Sequence, residues 1–445
     1  MIFARHALLP EGWQTDVRLT ISDGRISTLV QAPGPQGDDH VTDCLVPGLS
    51  NAHSHSFQRG FSGLTESRAA DRDSFWTWRE TMYSFALSLT PESVQSLAAM
   101  AFVEMLEAGF TRVGEFHYVH HGPDGRPYDD PAELSARIFS AARETGIALT
   151  HLPVLYMHGG FGGQSATPEQ RRFLNGLDRY LDLVAACDRL ADASRDRVGI
   201  APHSLRAVDT DILIRSVAAA PDRPVHIHIA EQEREVADCI AFSGRRPVEL
   251  LFDQAMVDSN WCLVHATHLT TDETAQIAAS GAVAGLCPLT EANLGDGLFP
   301  AVAFLAREGR IAIGTDSNVR IDAAEEFRLL EYGQRLNHRL RNVLGSSDRS
   351  TGAHLFDAAL HGGARALAAE TPEIAQGAPA DLLGLRDPHS LATGPDTTLD
   401  RWIFGFDVTV SDVWAGGGHV VRDGRHRDRD AVEMRFGAAL RDLLS

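Results

Sequence analysis

The chain has 445 residues, 44% hydrophobic and 22% charged, more than one average domain needs and enough for a large barrel with an appendage. Acidic residues outnumber basic ones 60 to 40, for a formal charge of -20. That field disfavours nucleic acid and anionic membranes as partners, and an acidic ligand must be met by local arginines.

Residues 2–30 alternate as strands, with Ser22, Asp23 and Gly24 as a hairpin turn. A Pro/Gly linker, QAPGPQGDDH, covers 31–40. Short apolar strands then alternate with amphipathic helices. The strands are expected at 45–51, 111–116, 148–155, 198–202, 225–229, 262–266, 282–286 and 311–315. A helix at 91–108 is opened by Thr90 as N-cap and Pro91 at its first position. Eight strand–helix units predict a closed (β/α)8 TIM barrel, an α/β fold. The end of the chain returns to β character at 380–386 and 407–424. The expected division is a small β-sandwich domain from 1–47 and 375–445 beside a catalytic barrel over 48–374.

Five cysteines (Cys44, Cys187, Cys239, Cys262 and Cys287) are scattered, with no Cys-x-x-Cys, which predicts reduced thiols in a cytoplasmic protein. The opening MIFARHALLPEG lacks the apolar core of a signal peptide, and no apolar run approaches a membrane span.

Functional side chains of such a barrel stand at the C-terminal ends of its strands. His53 and His55 stand there on the first strand, His228 on the fifth with Glu231 three residues on, His265 on the sixth and Asp316 on the eighth. Imidazole and carboxylate in this combination suit zinc, with iron as the alternative. His53 and His55 are two apart, so both rings face one side and reach one ion. His226 shares its side with His228 but lies about 6.6 Å deeper, which makes it supporting structure rather than a ligand. His117, His120 and His121 read as a flexible loop, the apolar positions of 91–108 (Met100, Phe102, Met105) as core, and RDGRHRDRD at 422–430 as a solvated charged segment.

The order His-x-His, His, His, Asp on successive strands resembles the amidohydrolase superfamily over nearly the whole chain. The His-x-x-Glu of His228 and Glu231 and the Thr-Asp-Ser around Asp316 resemble its single-metal deaminases. NAHSHSFQRG, DSFWTWRETMY, GEFHYVHH, APHSLRAV, HIHIAEQ and LVHATHL are similar to formiminoglutamate deiminases of histidine degradation. The resemblance implies metal-dependent hydrolysis of N-formimino-L-glutamate to N-formyl-L-glutamate and ammonia. All 40 basic residues are arginine. A chain without lysine cannot bridge two metals with a carboxylated lysine, as many binuclear relatives do; a bridging glutamate or cysteine stays open, but APHSL offers neither at the end of the fourth strand, so one Zn2+ per chain is favoured.

The resemblance implies His53, His55, His228 and Asp316 as ligands and Glu231, His265 and Asp316 as catalytic groups. Glu231 would carry the proton from water to the imino nitrogen, although it also suits a first helical turn. His265 would polarise the attacked centre or ligate, and Asp316 also reads as a helix cap. A dicarboxylate substrate requires cations, for which Arg206 and Arg79 are the candidates, the latter on a loop after the first strand. By resemblance Gln58, Tyr118 and His203 join them; ordinary packing is the other reading of Arg79 and Tyr118. Arg320 is near the mouth without an assigned role. A homodimer is expected. The competing functions are another mononuclear deaminase, acting on a guanine- or pterin-like ring, and a non-catalytic metal-binding scaffold.

Overall fold

The computed structural model describes residues 1–66, 75–370, 372–389 and 396–445. Eight parallel strands run round a barrel: β1 (Leu49–Ser54), β2 (Phe110–His117), β3 (Ala148–Leu155), β4 (Ala201–Pro202, preceded by Arg197–Val198), β5 (Val225–Ile229), β6 (Trp261–His265), β7 (Val283–Leu286) and β8 (Arg310–Ile313). β1 to β4 form one ladder and β5 to β8 another. Single parallel bridges, Ile200 to Val225 and Ser54 to Asp316, join them into a ring. β1, β3, β5 and β6 are buried at every residue. Helices outside and packed side chains within cover both faces of these strands.

Closure depends on a glycine. A Cβ on Gly314 would lie 2.9 Å from the backbone N and O of His53. Only there can the chain beyond β8 approach β1 closely enough for Thr315 and Asp316 to donate their N–H groups to the His53 carbonyl. This contact sets the Asp316 side chain beside the β1 histidines.

The chain ends make one eight-stranded sheet, the β-sandwich domain. From one edge its order is Arg425–His426, Gly418–Arg422, Thr409–Ala415, Leu382–Arg386, His40–Pro47, Ile2–Leu9, Gly12–Ser22, Arg25–Gln31. Leu382–Arg386 is antiparallel to His40–Pro47 and joins the two ends of the chain. The second hairpin, between Gly12–Ser22 and Arg25–Gln31, turns at Asp23 and Gly24, both at positive φ (51° and 76°), as a two-residue turn requires.

Several expectations shift. Residues 45–47 belong to the sandwich strand His40–Pro47, and β1 begins only at Leu49. The stretch 198–202 is broken at Gly199, where a Cβ would fall 2.5 Å from Leu152 and 2.8 Å from the Pro224 carbonyl. The helix over 91–108 forms as Pro91–Glu107, its Thr90 hydroxyl accepting from the Ser93 N–H. Residues 117–121 are not a flexible loop. His117, His120 and His121 are buried, and the Nε2 atoms of the latter two bond the Val154 and Leu174 carbonyls at 2.9 Å. The charged segment 422–430 is not wholly solvated: His426 is buried against the Thr145 carbonyl. Among the described residues no helix is long and apolar enough to cross a membrane.

Candidate active site

His53 and His55 project from the end of β1, His228 from β5 and Asp316 from just beyond β8, and the four ligand atoms lie within 4.8 Å of one another. His53 Nε2 is 3.2 Å from His55 Nε2 and 3.1 Å from His228 Nε2. Asp316 Oδ1 is 3.1 Å from His55 Nε2 and 3.5 Å from His53 Nε2. All four residues are buried.

The protons determine what this cluster can hold. His55 Nδ1 donates to the Phe116 carbonyl at 2.8 Å and His228 Nδ1 to the His203 carbonyl at 3.1 Å. A neutral imidazole so engaged has a bare lone pair on Nε2. Two bare nitrogens and a carboxylate oxygen therefore converge on His53, which has one Nε2 proton at most. Burial holds His53 down to about 3 and His228 well below the usual histidine range. Four inward-facing donors cannot satisfy one another by hydrogen bonding, and a divalent cation satisfies them all. The His-His-His-Asp set fits a single metal.

The backbone is strained where it delivers these groups. Ala230, His265, Ala266, Asp316 and Asn318 lie at φ between 42° and 65°, in the left-handed region, though none is glycine. Each costs on the order of 1 kcal/mol and persists because packing fixes it. Asn318 bonds across this corner, its Nδ2 donating to Ser54 Oγ and to the His55 and Asp316 carbonyls at 3.1 Å.

Glu231 follows one turn after His228. Burial pushes its carboxyl up to about 7 although His265 and Arg206 oppose this. His265 lies with Nε2 3.9 Å from Glu231 and 3.8 Å from Asp316, and with Nδ1 3.3 Å from Glu291. Burial alone would lower His265, but Glu231, Glu291 and Asp316 outweigh it and carry the ring up to about 10. His265 faces three carboxylates, which favour its protonated form, and it lies outside the His53, His55, His228 and Asp316 group. Asp316 stays well below the ordinary carboxylate range despite burial, because His53 and His55 bond it.

A cavity of about 540 Å3 opens over this cluster. Its outer wall carries Gln58, Arg79, Tyr118, His203 and Arg206. Gln58 Nε2 donates to the Tyr118 hydroxyl at 2.8 Å, leaving its buried Oε1 without a partner. Arg206 is buried, its Nε is unpartnered, and its charge faces Glu235 and Glu231. Arg79 is not on a loop. It sits on the helix Phe75–Ser88, its guanidinium 4.5 Å from the Trp76 ring centroid and 5.4 Å from that of Tyr83. Asp73 and Ser74 of DSFWTWRETMY lie outside the described residues. Arg320 is 60% exposed, pairs with Glu325 at 2.6 Å, and faces a different cleft. His226 Nε2 bonds the Ala366 carbonyl at 2.8 Å, away from the cluster.

Sequence reasoning missed Tyr156, Tyr83, Trp78 and Phe173 in the cavity wall and Glu291 behind His265. Tyr156 stands just past the end of β3 and was open to the same strand-end argument that found His228. Gln170 ties it in, donating to the Tyr156 and Tyr83 hydroxyls at 2.7 and 3.0 Å. A larger cleft, about 1090 Å3, lies where Arg25, Arg112, Arg195 and Glu370 meet at the foot of the barrel, and no histidine lines it.

The chain is similar to known proteins along its whole length. A family model described as Amidohydrolase family matches residues 44–420, and one described as Formimidoylglutamate deiminase HutF, N-terminal domain, matches 1–43. The chain is 50% identical to formimidoylglutamate deiminase of Pseudomonas aeruginosa, over 100% of this chain and 99% of that protein. It is 27% identical to 8-oxoguanine deaminase of the same organism, over 96% and 95%. A crystal structure of an amidohydrolase from Brucella melitensis superposes with a TM-score of 0.97 at 49% identity, covering 100% and 99%. A zinc-containing structure of an adenosine deaminase from Xanthomonas campestris shares the fold, with a TM-score of 0.82 at 23% identity over 100% and 98%. The chain belongs to the metal-dependent amidohydrolase family, on the branch of the formimidoylglutamate deiminases.

Proposed function

We propose that this protein hydrolyses N-formimino-L-glutamate to N-formyl-L-glutamate and ammonia, a step of histidine degradation, in the cytoplasm and with one zinc ion per chain. One observation carries the reading. His55, His228 and Asp316 of the four-residue cluster line one cavity with Glu231 and two arginines, in a chain 50% identical to a formimidoylglutamate deiminase.

His53, His55 and His228 would hold the ion through Nε2 and Asp316 through Oδ1. Bound there, it supplies Lewis acidity that brings the ionisation of water towards neutrality. Glu231 accepts the proton of the attacking water, and its raised affinity for protons suits it to hold that proton until the imino nitrogen takes it. The water oxygen forms its bond to the formimino carbon as the C=N π pair moves to the imino nitrogen, which takes the proton from Glu231. Asp316 or Glu231 then carries the remaining hydroxyl proton to that nitrogen, and the C–N bond breaks with ammonia as leaving group as the formyl C=O forms. The His265 imidazolium faces this centre and stabilises negative charge as it develops. Arg206 and Arg79 bind the two carboxylates, with Gln58, Tyr118 and His203 orienting the chain between them.

Ammonia release from formimino and guanidino acids and from aminated heterocycles, with metal analysis on the same sample, tests the reading. Turnover of N-formimino-L-glutamate at one zinc per chain is expected. Turnover of a guanine-like ring without it would overturn the assignment. The homodimer is proposed from Leu336 and Leu340, 82% and 65% exposed near the end of the helix Ala323–His338. Sedimentation at micromolar concentration decides it.

A further inference from the structure

The sandwich domain contains a second convergence of ligand atoms, separate from the active site. His40 begins the strand His40–Pro47, Asp412 lies on Thr409–Ala415 and His419 on Gly418–Arg422. Their ligand atoms fall within 4.8 Å of one another. We propose that His40, Asp412 and His419 bind a divalent transition-metal ion, of the copper or nickel class, on this sheet.

The strands of His40 and Asp412 are not neighbours; Leu382–Arg386 runs between them. Asp412 can lie across it because its partner in register is Gly384, where a Cβ would come 3.0 Å from Asp412 Cβ and 2.8 Å from Thr42 Oγ1. The glycine leaves the space that brings the carboxylate toward His40. Asp412 Oδ1 is then 2.9 Å from His40 Nε2 and 2.8 Å from His419 Nε2, while Ser411 Oγ donates to Oδ2 at 2.8 Å. The rings are held in place. His419 stacks on Trp414 at 4.4 Å between centroids, and His40 meets both edge-on at 4.7 and 5.4 Å.

Hydrogen bonding accounts for only part of this arrangement. His419 Nε2 makes a well-formed bond to Asp412. His40 Nε2 is as close to the same oxygen but misaligned, and this buried nitrogen has no hydrogen-bond partner. A cation coordinated by all three atoms removes the discrepancy.

Two imidazoles and a carboxylate suit copper and nickel, and the spacing is compatible with them. At a metal–ligand distance of about 2.1 Å, atoms 2.8–2.9 Å apart subtend roughly 85°, as adjacent positions of a tetragonal or octahedral ion do. The active-site atoms, 3.1–3.5 Å apart, subtend roughly 95–115°, nearer the tetrahedral preference of zinc. The His40 side chain is 38% exposed although its Nε2 is buried, so the site lies just beneath the surface of the sheet.

The test is equilibrium dialysis of untagged, metal-replete protein against micromolar Ni2+. One further equivalent per chain is expected, with binding at least tenfold weaker in Asp412→Asn and His419→Gln. Ammonia release should be unchanged in both, because none of the three residues lines the catalytic cavity. No further equivalent, or full retention of it in both variants, overturns the proposal. If these variants fold poorly, His40→Gln at the exposed rim replaces them. Cu2+ electron paramagnetic resonance of the wild type provides a measurement that needs no variant. Coupling to two nitrogens is expected, and an all-oxygen or one-nitrogen signal overturns the site.

Discussion

The two walls of the catalytic cavity are built differently. On the inner wall His53, His55, His228 and Asp316 come from strand ends of a closed ring, and two of the rings are fixed through Nδ1 by main-chain carbonyls. On the outer wall Arg79 and Arg206 come from connecting segments and lean on aromatic faces, and Gln58 Oε1 and Arg206 Nε are buried without partners. The inner wall turns four ligand atoms toward one point. The outer wall has polar atoms still to be satisfied, as a surface that completes its hydrogen bonding with a ligand should. The inner wall should therefore govern metal content and kcat, and the outer wall KM.

The sharpest break in that comparison is His228→Ala. It removes a ligand and leaves His53 Nε2 without its neighbour at 3.1 Å. Metal content should fall well below one per chain, with activity down by about 10³-fold or more. Full occupancy with near-native kcat would show that His228 is not a ligand. Glu231→Gln should separate metal from chemistry on the same wall: metal retained, kcat lower by about 10³-fold and KM little changed. A variant within tenfold of the wild type would end the proton-transfer role.

The outer wall should respond more weakly and in the other parameter. Arg206→Met removes a charged hydrogen bond to a carboxylate, about 1.5–3 kcal/mol, so KM should rise about 10- to 100-fold with kcat changing less. An unchanged KM would move the carboxylate contact away from Arg206. A pH profile then tests the inner wall without mutation. Glu231 must be ionised to accept a proton and His265 protonated to stabilise charge. From values of about 7 and about 10, activity should fall below the first and above the second. Glu231→Gln should abolish the acidic limb and move the basic limb to lower pH, because Glu231 is a main support of the His265 proton.

The same contrast explains what could be read from sequence. His53, His55, His228, His265 and Asp316 follow from one rule, because a barrel strand leaves its last inward residues at the rim. The position of Asp316 was legible, but not its backbone, held at φ 42° by a contact that only Gly314 permits. Arg79 was placed on a loop because DSFWTWRETMY has no clear apolar stripe; packing of Phe75, Met82, Tyr83 and Phe85 forms the helix instead. His120 and His121 were misjudged because adjacent histidines look unconstrained. Carbonyls at Val154 and Leu174, 34 and 53 residues away, fix them. Contacts between residues so far apart in the chain leave no local signature.

The smallest predicted effect concerns the stability cost of the inner wall. The Glu231 carboxyl holds its proton up to about 7 in the folded protein and to about 4.5 when exposed. Below 4.5 both states are protonated and the group is neutral towards stability. As pH rises from 4.5 to 7 the unfolded chain releases its proton first, so folding loses free energy, and above 7 the full penalty remains. Taken alone, that shift is worth up to about 3 kcal/mol. His265 offsets part of it. Its proton, held to about 10, stabilises the fold below the unfolded histidine value and is lost only as pH passes 10, but Glu231 is a main source of that stabilisation. Glu231→Gln therefore removes a cost and part of a gain together. In metal-free protein the variant should be about 1–2 kcal/mol more stable than wild type at pH 8 and equal to it near pH 4.5. Urea unfolding at both pH values measures the difference. A variant destabilised at pH 8 would mean that the buried carboxylate stabilises this wall rather than straining it.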